Sequence, residues 1–354
     1  MRTSSSVAPI APLSGLLASL PRGAQRQSGD EARSAKPCQP KLLRSYTLDV
    51  EAVAVRARTL SPVGFLRLAA TSCFSLFVVV TSGAFVRLSG SGLGCDNWPR
   101  CGDRPYPERG YHAFVEFSNR MVALVGLLLT LATWLASRRM HGFPRHARLT
   151  ALAAFLVAAA QIPLGAVTIA LKLNPLAVMA HFLLGLTVLG LAVIVLLEAW
   201  ILLDGRAEPV EPQWFRRFAV WAGLPTCVAL LATGAVATAS GPHPGASSGV
   251  RRLGLEITDT VYVHVRVATA FGIGVLIVGA VLWRARDRYP GLLWMWAGLL
   301  GVFVAQAVVG ETQYRNALPW QLVLVHVFLA ASIWGLTLAI AYALWRPPAP
   351  LTRK

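Results

Sequence analysis

Eight stretches of this chain are too long and too apolar for a water-soluble fold. They run Phe65–Val86, Ala113–Ala136, Leu149–Leu171, Pro175–Leu203, Phe218–Ser240, Thr258–Trp283, Gly291–Val309 and Leu322–Trp345. A hydrocarbon core about 30 Å thick takes roughly 20 helical residues to cross. Inside lipid every backbone N–H and C=O must find a partner within the protein, which favours helices. The apolar residues form continuous blocks, without the period of 2 that a barrel strand would show. The expected fold is an all-α integral membrane protein of eight transmembrane helices. Composition agrees: 55% of residues are hydrophobic and 14% charged, where soluble domains carry roughly 25% charged residues.

A net charge of +17 invites a nucleic-acid reading, but topology explains where the charge sits. Loop 2–3 holds Arg138, Arg139, Arg145 and Arg148, loop 4–5 holds Arg206, Arg216 and Arg217, and loop 6–7 holds Arg284, Arg286 and Arg288. The alternate loops are mixed in sign (Arg87, Asp96, Arg100, Asp103, Glu108) or sparse (Lys172). Arg251 and Arg252 in loop 5–6 run against this trend, though Glu256 and Asp259 follow them. By the positive-inside rule both termini are cytoplasmic. Four spans per half give the halves the same orientation, so the expected architecture is two four-helix bundles in parallel repeat. The division falls at 61–205 and 206–354. Residues 1–60 lack an apolar block, and their first acid is Asp30. They read as a disordered basic extension, with an organellar transit peptide as the alternative.

The two halves share a pattern. His181 and His326 lie 145 residues apart, as do Asn119 and His264, Gln161 and Gln306, and Gly165 and Gly310. Asn119, His181, His264 and His326 each sit about six residues into a span entered from the non-cytoplasmic side, roughly 9 Å deep. A single buried histidine is usually a satisfied core residue. Four polar residues at one depth on spans 2, 4, 6 and 8 can instead face one another in pairs, and intramembrane ionisable residues are functional candidates by default. Two neutral imidazoles in an apolar bundle are a common way to hold a haem iron.

Glu116 precedes Asn119 by three residues and shares its helix face. Its counterpart in the second half is Val261, so the carboxylate occurs at one site only. Glu116 can be an i,i+4 ion-pair partner of Arg120, or an acid, base or charge stabiliser beside a reacting ligand. Arg266 can pair with a haem propionate or snorkel to the interface. Cys95 and Cys101 flank Trp98-Pro99 in the first outer loop. In an oxidising compartment they can form a disulfide, as a structural staple or as a redox pair. Cys-x5-Cys without a loop histidine is weak ground for zinc. Cys73 and Cys227 read as packing residues, and His243 as an unliganded loop histidine.

These residues resemble the haem A synthase family. The similarity is carried by Gly83-Ala-Phe-Val-Arg87-Leu-Ser-Gly-Ser-Gly-Leu-Gly-Cys95, Trp98-Pro99, Cys101 and Phe114-Val-Glu116-Phe-Ser-Asn-Arg120. His181 with Gly185, Thr233-Gly234 through His243, His264 and His326 add to it. The resemblance implies haem b held by His264 and His326 in the second half. It implies a haem O site with His181 in the first half, Glu116 in the catalytic position, and oxidation of a ring methyl of haem O to the formyl group of haem A for cytochrome oxidase. The cysteine pair is similar to bacterial members, which points to the bacterial cytoplasmic membrane, with the mitochondrial inner membrane as the alternative. Candidate partners beside haem O are haem O synthase and a second copy of the chain.

One departure stands out. The family pattern has His where this chain has Asn119, directly before Arg120. Asn ligates iron poorly, so His181 is expected to hold the first iron alone, with an open axial position. Two other functions compete: a haem-binding electron carrier or assembly factor without haem A synthesis, and a transporter built on parallel repeats. No acidic residues occupy matched midplane positions, which weighs against the transporter.

Overall fold

A computed structural model describes residues 60–352, apart from 96–97, 104–105, 108–109 and 247–248. The expected N-terminal extension with Cys38, save Leu60, and the loop charges Asp96 and Glu108 lie outside the described residues. Among these residues the chain forms eight long helices. They are α1 (Pro62–Leu88), α2 (Tyr111–Arg139), α3 (Arg145–Ala170), α4 (Pro175–Asp204), α5 (Gln213–Ser240), α6 (Ile257–Arg284), α7 (Pro290–Arg315) and α8 (Trp320–Trp345), followed by a single 3-10 turn, Ala349–Leu351. All eight are long and apolar enough to cross a membrane. At 1.5 Å per residue they run roughly 40–45 Å, longer than the hydrocarbon core alone. Among the described residues there is no strand, only two isolated bridges.

Local chemistry sets the helix starts. Ser61 accepts the Gly64 N–H at 3.1 Å with Pro62 in the first turn. Asn174 accepts the Leu176 N–H at 3.0 Å with Pro175 in the first turn. Each cap satisfies one of the free N–H groups, and proline has none to lose. The expected spans fall within the observed helices, except that Leu171, expected to end the third, is the cap just past α3. The largest extension is in α7, which continues past Val309 to Arg315. There Glu311 and Arg315 pair one turn apart, and charged residues that pair along a helix can carry it into the interface.

Helices α1 to α4 pack in a closed ring, each on the next and α4 back on α1; α5 to α8 do the same. Helix α8 packs on α1 and α4, and α5 on α4, joining the two sets. Leu186, Leu189 and Val193 of α4 share one core with Ile333 and Ile340 of α8. The Trp334 indole donates to Leu186 O at 2.8 Å. Gly190 lies against that ring, where a Cβ would come within 3.1 Å. Small residues let transmembrane helices approach this closely, and an interhelical hydrogen bond adds to the packing.

At the end that carries the arginine-rich loops, Glu198 of α4 is fully buried. Arg346 reaches it with Nε at 2.5 Å and Nη2 at 3.0 Å, and Tyr342 donates to it at 2.6 Å. His146 of α3 lies 3.5 Å away. The hydrogen bond to Glu198 raises the Arg346 guanidinium above its ordinary pKa. The tail then runs back along the linker between the two sets of helices: Ala207 N–H donates to Pro347 O and Ala349 N–H to Gly205 O, both at 2.9 Å.

At the other end the loops also cross-connect. Gly92 N–H donates to Gly245 O at 2.8 Å. Arg87 donates to His243 O and Thr238 O, both at 2.9 Å. The α3–α4 and α7–α8 turns are alike in detail. Lys172 and Leu173 have φ of 48° and 57°, Ala317 and Leu318 of 59° and 60°. Left-handed backbone costs a non-glycine residue about 1–2 kcal/mol. Both turns close with a hydrogen bond to the residue five before, Leu173 to Thr168 at 2.8 Å and Leu318 to Gln313 at 2.7 Å.

Candidate functional site

Asn119, His181, His264 and His326 stand on α2, α4, α6 and α8, and each faces a glycine on the helix before it. A Cβ on Gly234 would meet His264 Cε1 at 3.0 Å, and one on Gly310 would meet His326 Cε1 at 3.1 Å. In the first half Gly165 stands 3.7 Å from His181 Cε1, and Gly83 4.0 Å from Asn119 Oδ1, by the same measure. The even-numbered helices thus present one polar group each, seated in a notch that lacks a side chain.

The His264 and His326 rings stand opposite each other, with centroids 6.4 Å apart and planes at 61°. An imidazole–metal–imidazole sandwich with metal–nitrogen bonds of about 2 Å places ring centres roughly 6 Å apart. The pair therefore fits one iron between the rings. Among the described residues no three His, Cys, Asp or Glu side chains gather to hold a metal. Two imidazoles alone leave the equatorial positions to a macrocycle, as in haem.

Thr233 stands beside the His264 ring. Its hydroxyl donates to Ala229 O at 2.9 Å. With that proton engaged, Oγ1 can accept the His264 Nδ1–H across 3.1 Å, the tautomer in which Nε2 keeps its lone pair for a metal. Orienting a ligand through its second nitrogen is what metal-bound histidines generally need. His326 Nδ1 and His181 Nδ1 are buried without a partner, and so is the Oε1 of Gln306 and of Gln161. Gln161 donates through Nε2 to His181 O at 3.2 Å.

The first half repeats this arrangement with one group changed. Ser82 precedes Gly83 as Thr233 precedes Gly234, and Ser82 Oγ lies 2.7 Å from Asn119 Oδ1. Asn119 therefore occupies the place of His264, and His181 that of His326.

Glu116 is buried and fully engaged. One oxygen accepts the Cys95 N–H at 2.9 Å, the other the Arg120 guanidinium at 2.5 Å. The i,i+4 pair expected from the sequence is present. It also reaches the outer loop, since Arg120 donates to Pro99 O at 3.2 Å and Arg100 O at 2.9 Å. Cys95 and Cys101 place their sulfurs at bonding distance, 2.04 Å. The loop lies close on α2: a Cβ on Gly94 would sit 2.4 Å from the His112 backbone, and Ser91 Oγ is 2.9 Å from His112 Nδ1. Glu116 thus lies between this loop and the level of Asn119.

Arg266 is exposed and stacks on Tyr262, 3.7 Å from the ring centre. Two residues past His264 it points about 200° around the helix from that imidazole, and the structure does not bring it to the histidine pair. His243 donates through Nε2 to Leu318 O at 2.8 Å. Cys73 and Cys227 are buried and unbridged. Sequence reasoning missed Ser82 and Thr233 as partners of the site, although the hydroxyl–glycine dipeptide common to both halves was a signal for them.

Fold and site together define an eight-helix membrane protein with repeated polar notches, one pair of which suits an iron porphyrin. The chain belongs to the cytochrome oxidase assembly protein family COX15-CtaA, which it matches over residues 66–340. A relative named heme A synthase from Symbiobacterium thermophilum is 30% identical over 293 residues, 75% of this chain and 91% of the relative. Relatives of the same name from Bacillus pumilus and Alkalihalophilus pseudofirmus are 29% identical over 143 residues and 31% over 166. Those two matches cover 40% and 45% of this chain and 46% and 54% of the relatives, so the chain spans about half the length of each.

Proposed function

We propose that this chain is a haem A synthase, which oxidises a ring methyl of haem O to the formyl group of haem A for cytochrome oxidase. The observation that carries the reading is the asymmetry between two equivalent notched pairs. His264 and His326 form a complete axial pair suited to a resident haem b. Asn119 and His181 form an incomplete one, suited to a substrate that must react. Haem b when bound supplies one-electron redox capacity. The 61–205 half is then the substrate half and 206–354 the cofactor half.

In this reading His181 orients haem O through its iron. Glu116 lies one turn from Asn119, held at a fixed place by Cys95 N–H and Arg120. From there it stabilises positive charge developing at the substrate methyl carbon, or accepts a proton from attacking water. The Cys95–Cys101 pair forms a disulfide that braces the loop over this site. The arginine-rich loops support a cytoplasmic side for both termini, and the bacterial relatives support a bacterial cell membrane. Haem O synthase is the natural donor of so apolar a substrate, and a second copy of the chain is a candidate neighbour. Arg266 remains a candidate propionate partner only if it leaves Tyr262.

The test is expression with a haem O source, followed by extraction and chromatography of the bound haems. Haem A, or its hydroxylated precursor, is expected. A second reading, a haem-binding carrier or assembly factor without synthesis, is favoured by one observation, the amide at Asn119. Recovery of unreacted haem O with intact haem b would establish that reading instead.

A further inference from the structure

We infer that Asn119 is a hydrogen-bond donor to whatever small ligand occupies the sixth position of the iron held by His181, and that Ser82 is the positioning residue that turns the amide this way. The inference rests on the proposed use of His181 as the ligand of the substrate iron and deepens it: it assigns the open side a chemical preference.

The argument starts from one proton. Ser82 has a single hydroxyl hydrogen and two acceptors in reach, Asn119 Oδ1 at 2.7 Å and Val79 O at 3.1 Å. Asn119 Oδ1 has no other donor among the described residues, and its contact is the shorter. The proton therefore goes to Oδ1. An amide whose oxygen is taken keeps both N–H donors, on the same planar carbon, for another partner. The oxygen faces α1, against Gly83, so Nδ2 is not the group spent on Ser82. In the second half the group in this place is His264, which opposes His326 across 6.4 Å. By that equivalence Asn119 opposes His181.

This orientation has two chemical consequences. Nδ2 carries no lone pair for a metal, so Asn119 does not close the coordination sphere. It does offer a proton to a ligand with electron density on its outer atom. The first half would thus select small polarisable or anionic ligands, while the second half excludes all of them by closing with His264.

Carbon monoxide and cyanide are the probes, on the purified full chain with its bound haems. A donor near the outer atom of bound carbon monoxide draws electron density into the C–O antibonding orbital and lowers the stretching frequency. Asn119→Leu should raise that frequency and weaken cyanide binding roughly tenfold, the worth of one hydrogen bond to a charged ligand. Ser82→Ala should split the single C–O band by freeing the amide to turn, and Ser82→Thr should keep it single. The low-spin signal of the His264–His326 pair reports that each variant is folded. An unmoved C–O band in Asn119→Leu, with carbon monoxide still bound, overturns this inference alone. Carbon monoxide binding that survives His181→Ala, or its absence from the wild type, overturns the assignment of His181 and this inference with it.

Discussion

In the α5–α8 half a threonine beside the notch glycine holds an imidazole, and that imidazole faces a second one. In the α1–α4 half a serine in the same place holds an amide, and its opposite number is a single imidazole. The notch glycines recur, and the α3–α4 and α7–α8 turns are alike, down to left-handed residues at Leu173 and Leu318. A repeat that preserves this much backbone detail places its two sites alike. What separates them is the change from His264 to Asn119, the carboxylate Glu116, and the loop beside it. The first half carries Glu116, Arg120 and the cysteine loop; the second has Val261 where Glu116 stands. Stable ligation and reactivity ask for opposite things of an axial position, and in the proposed function the two halves divide them.

The comparison breaks most easily at the complete pair. Replacing His264 or His326 with Ala leaves one imidazole and an apolar gap, so the low-spin spectrum expected of a two-imidazole haem should be lost in either variant. A low-spin spectrum retained in both would remove the premise that the second half is the closed site.

Next in size is the carboxylate found on one side only. Glu116→Gln should lower turnover by about 10²-fold or more, the usual worth of a positioned acid or base, with the His264–His326 spectrum unchanged. Turnover at the wild-type level would leave Glu116 as an anchor for the loop. Thiol labelling of that loop sharpens the point. Cys95 and Cys101 should stay unlabelled in the denatured, unreduced wild type, and ready labelling would show that the loop is held by its hydrogen bonds, without a disulfide.

A second buried carboxylate offers a contrast within the same molecule. Glu198 also has an arginine partner, but it joins α4 to the end of α8, far along the helix from the notches. Glu198→Ala strands the Arg346 charge and the Tyr342 hydroxyl. Breaking such a pair costs about 3 kcal/mol, toward the lower end of the range because Arg346 is partly exposed. Thermal unfolding in detergent should show the loss, and the haem spectra below the transition should not change. A spectral change would mean that the two ends of the helices are coupled.

The spans were legible because lipid tolerates little besides apolar helix, and the ligand positions because polar groups are rare there. The hydroxyl–glycine notches were half legible. Gly165 and Gly310 share the 145-residue offset, but 36 residues separate Gly83 from Asn119 where 30 separate Gly234 from His264. The cysteine loop lies in the longer of these stretches and hides the second correspondence. The matched turns were invisible, since Lys172-Leu173 and Ala317-Leu318 hold left-handed backbone without glycine. Glu198 gave a signal, a lone acid in a very apolar block, but its partners Tyr342 and Arg346 are more than 140 residues away.

The smallest predicted effect tests the comparison at its finest point. If Thr233 accepts the Nδ1–H of His264, it makes that imidazole a better electron donor to iron and favours the oxidised state. Thr233→Val keeps the shape and removes the acceptor. A hydrogen bond is worth about 1 kcal/mol, or roughly 40 mV for one electron. The potential of the haem between His264 and His326 should rise by up to that amount, with the low-spin spectrum retained. Ser82→Ala, the matching change in the other half, should leave that potential where it is, because its hydroxyl serves Asn119. A shift of equal size from both variants would show that the hydroxyls act through the packing of the whole membrane domain, and the notches could no longer be treated as two separate sites.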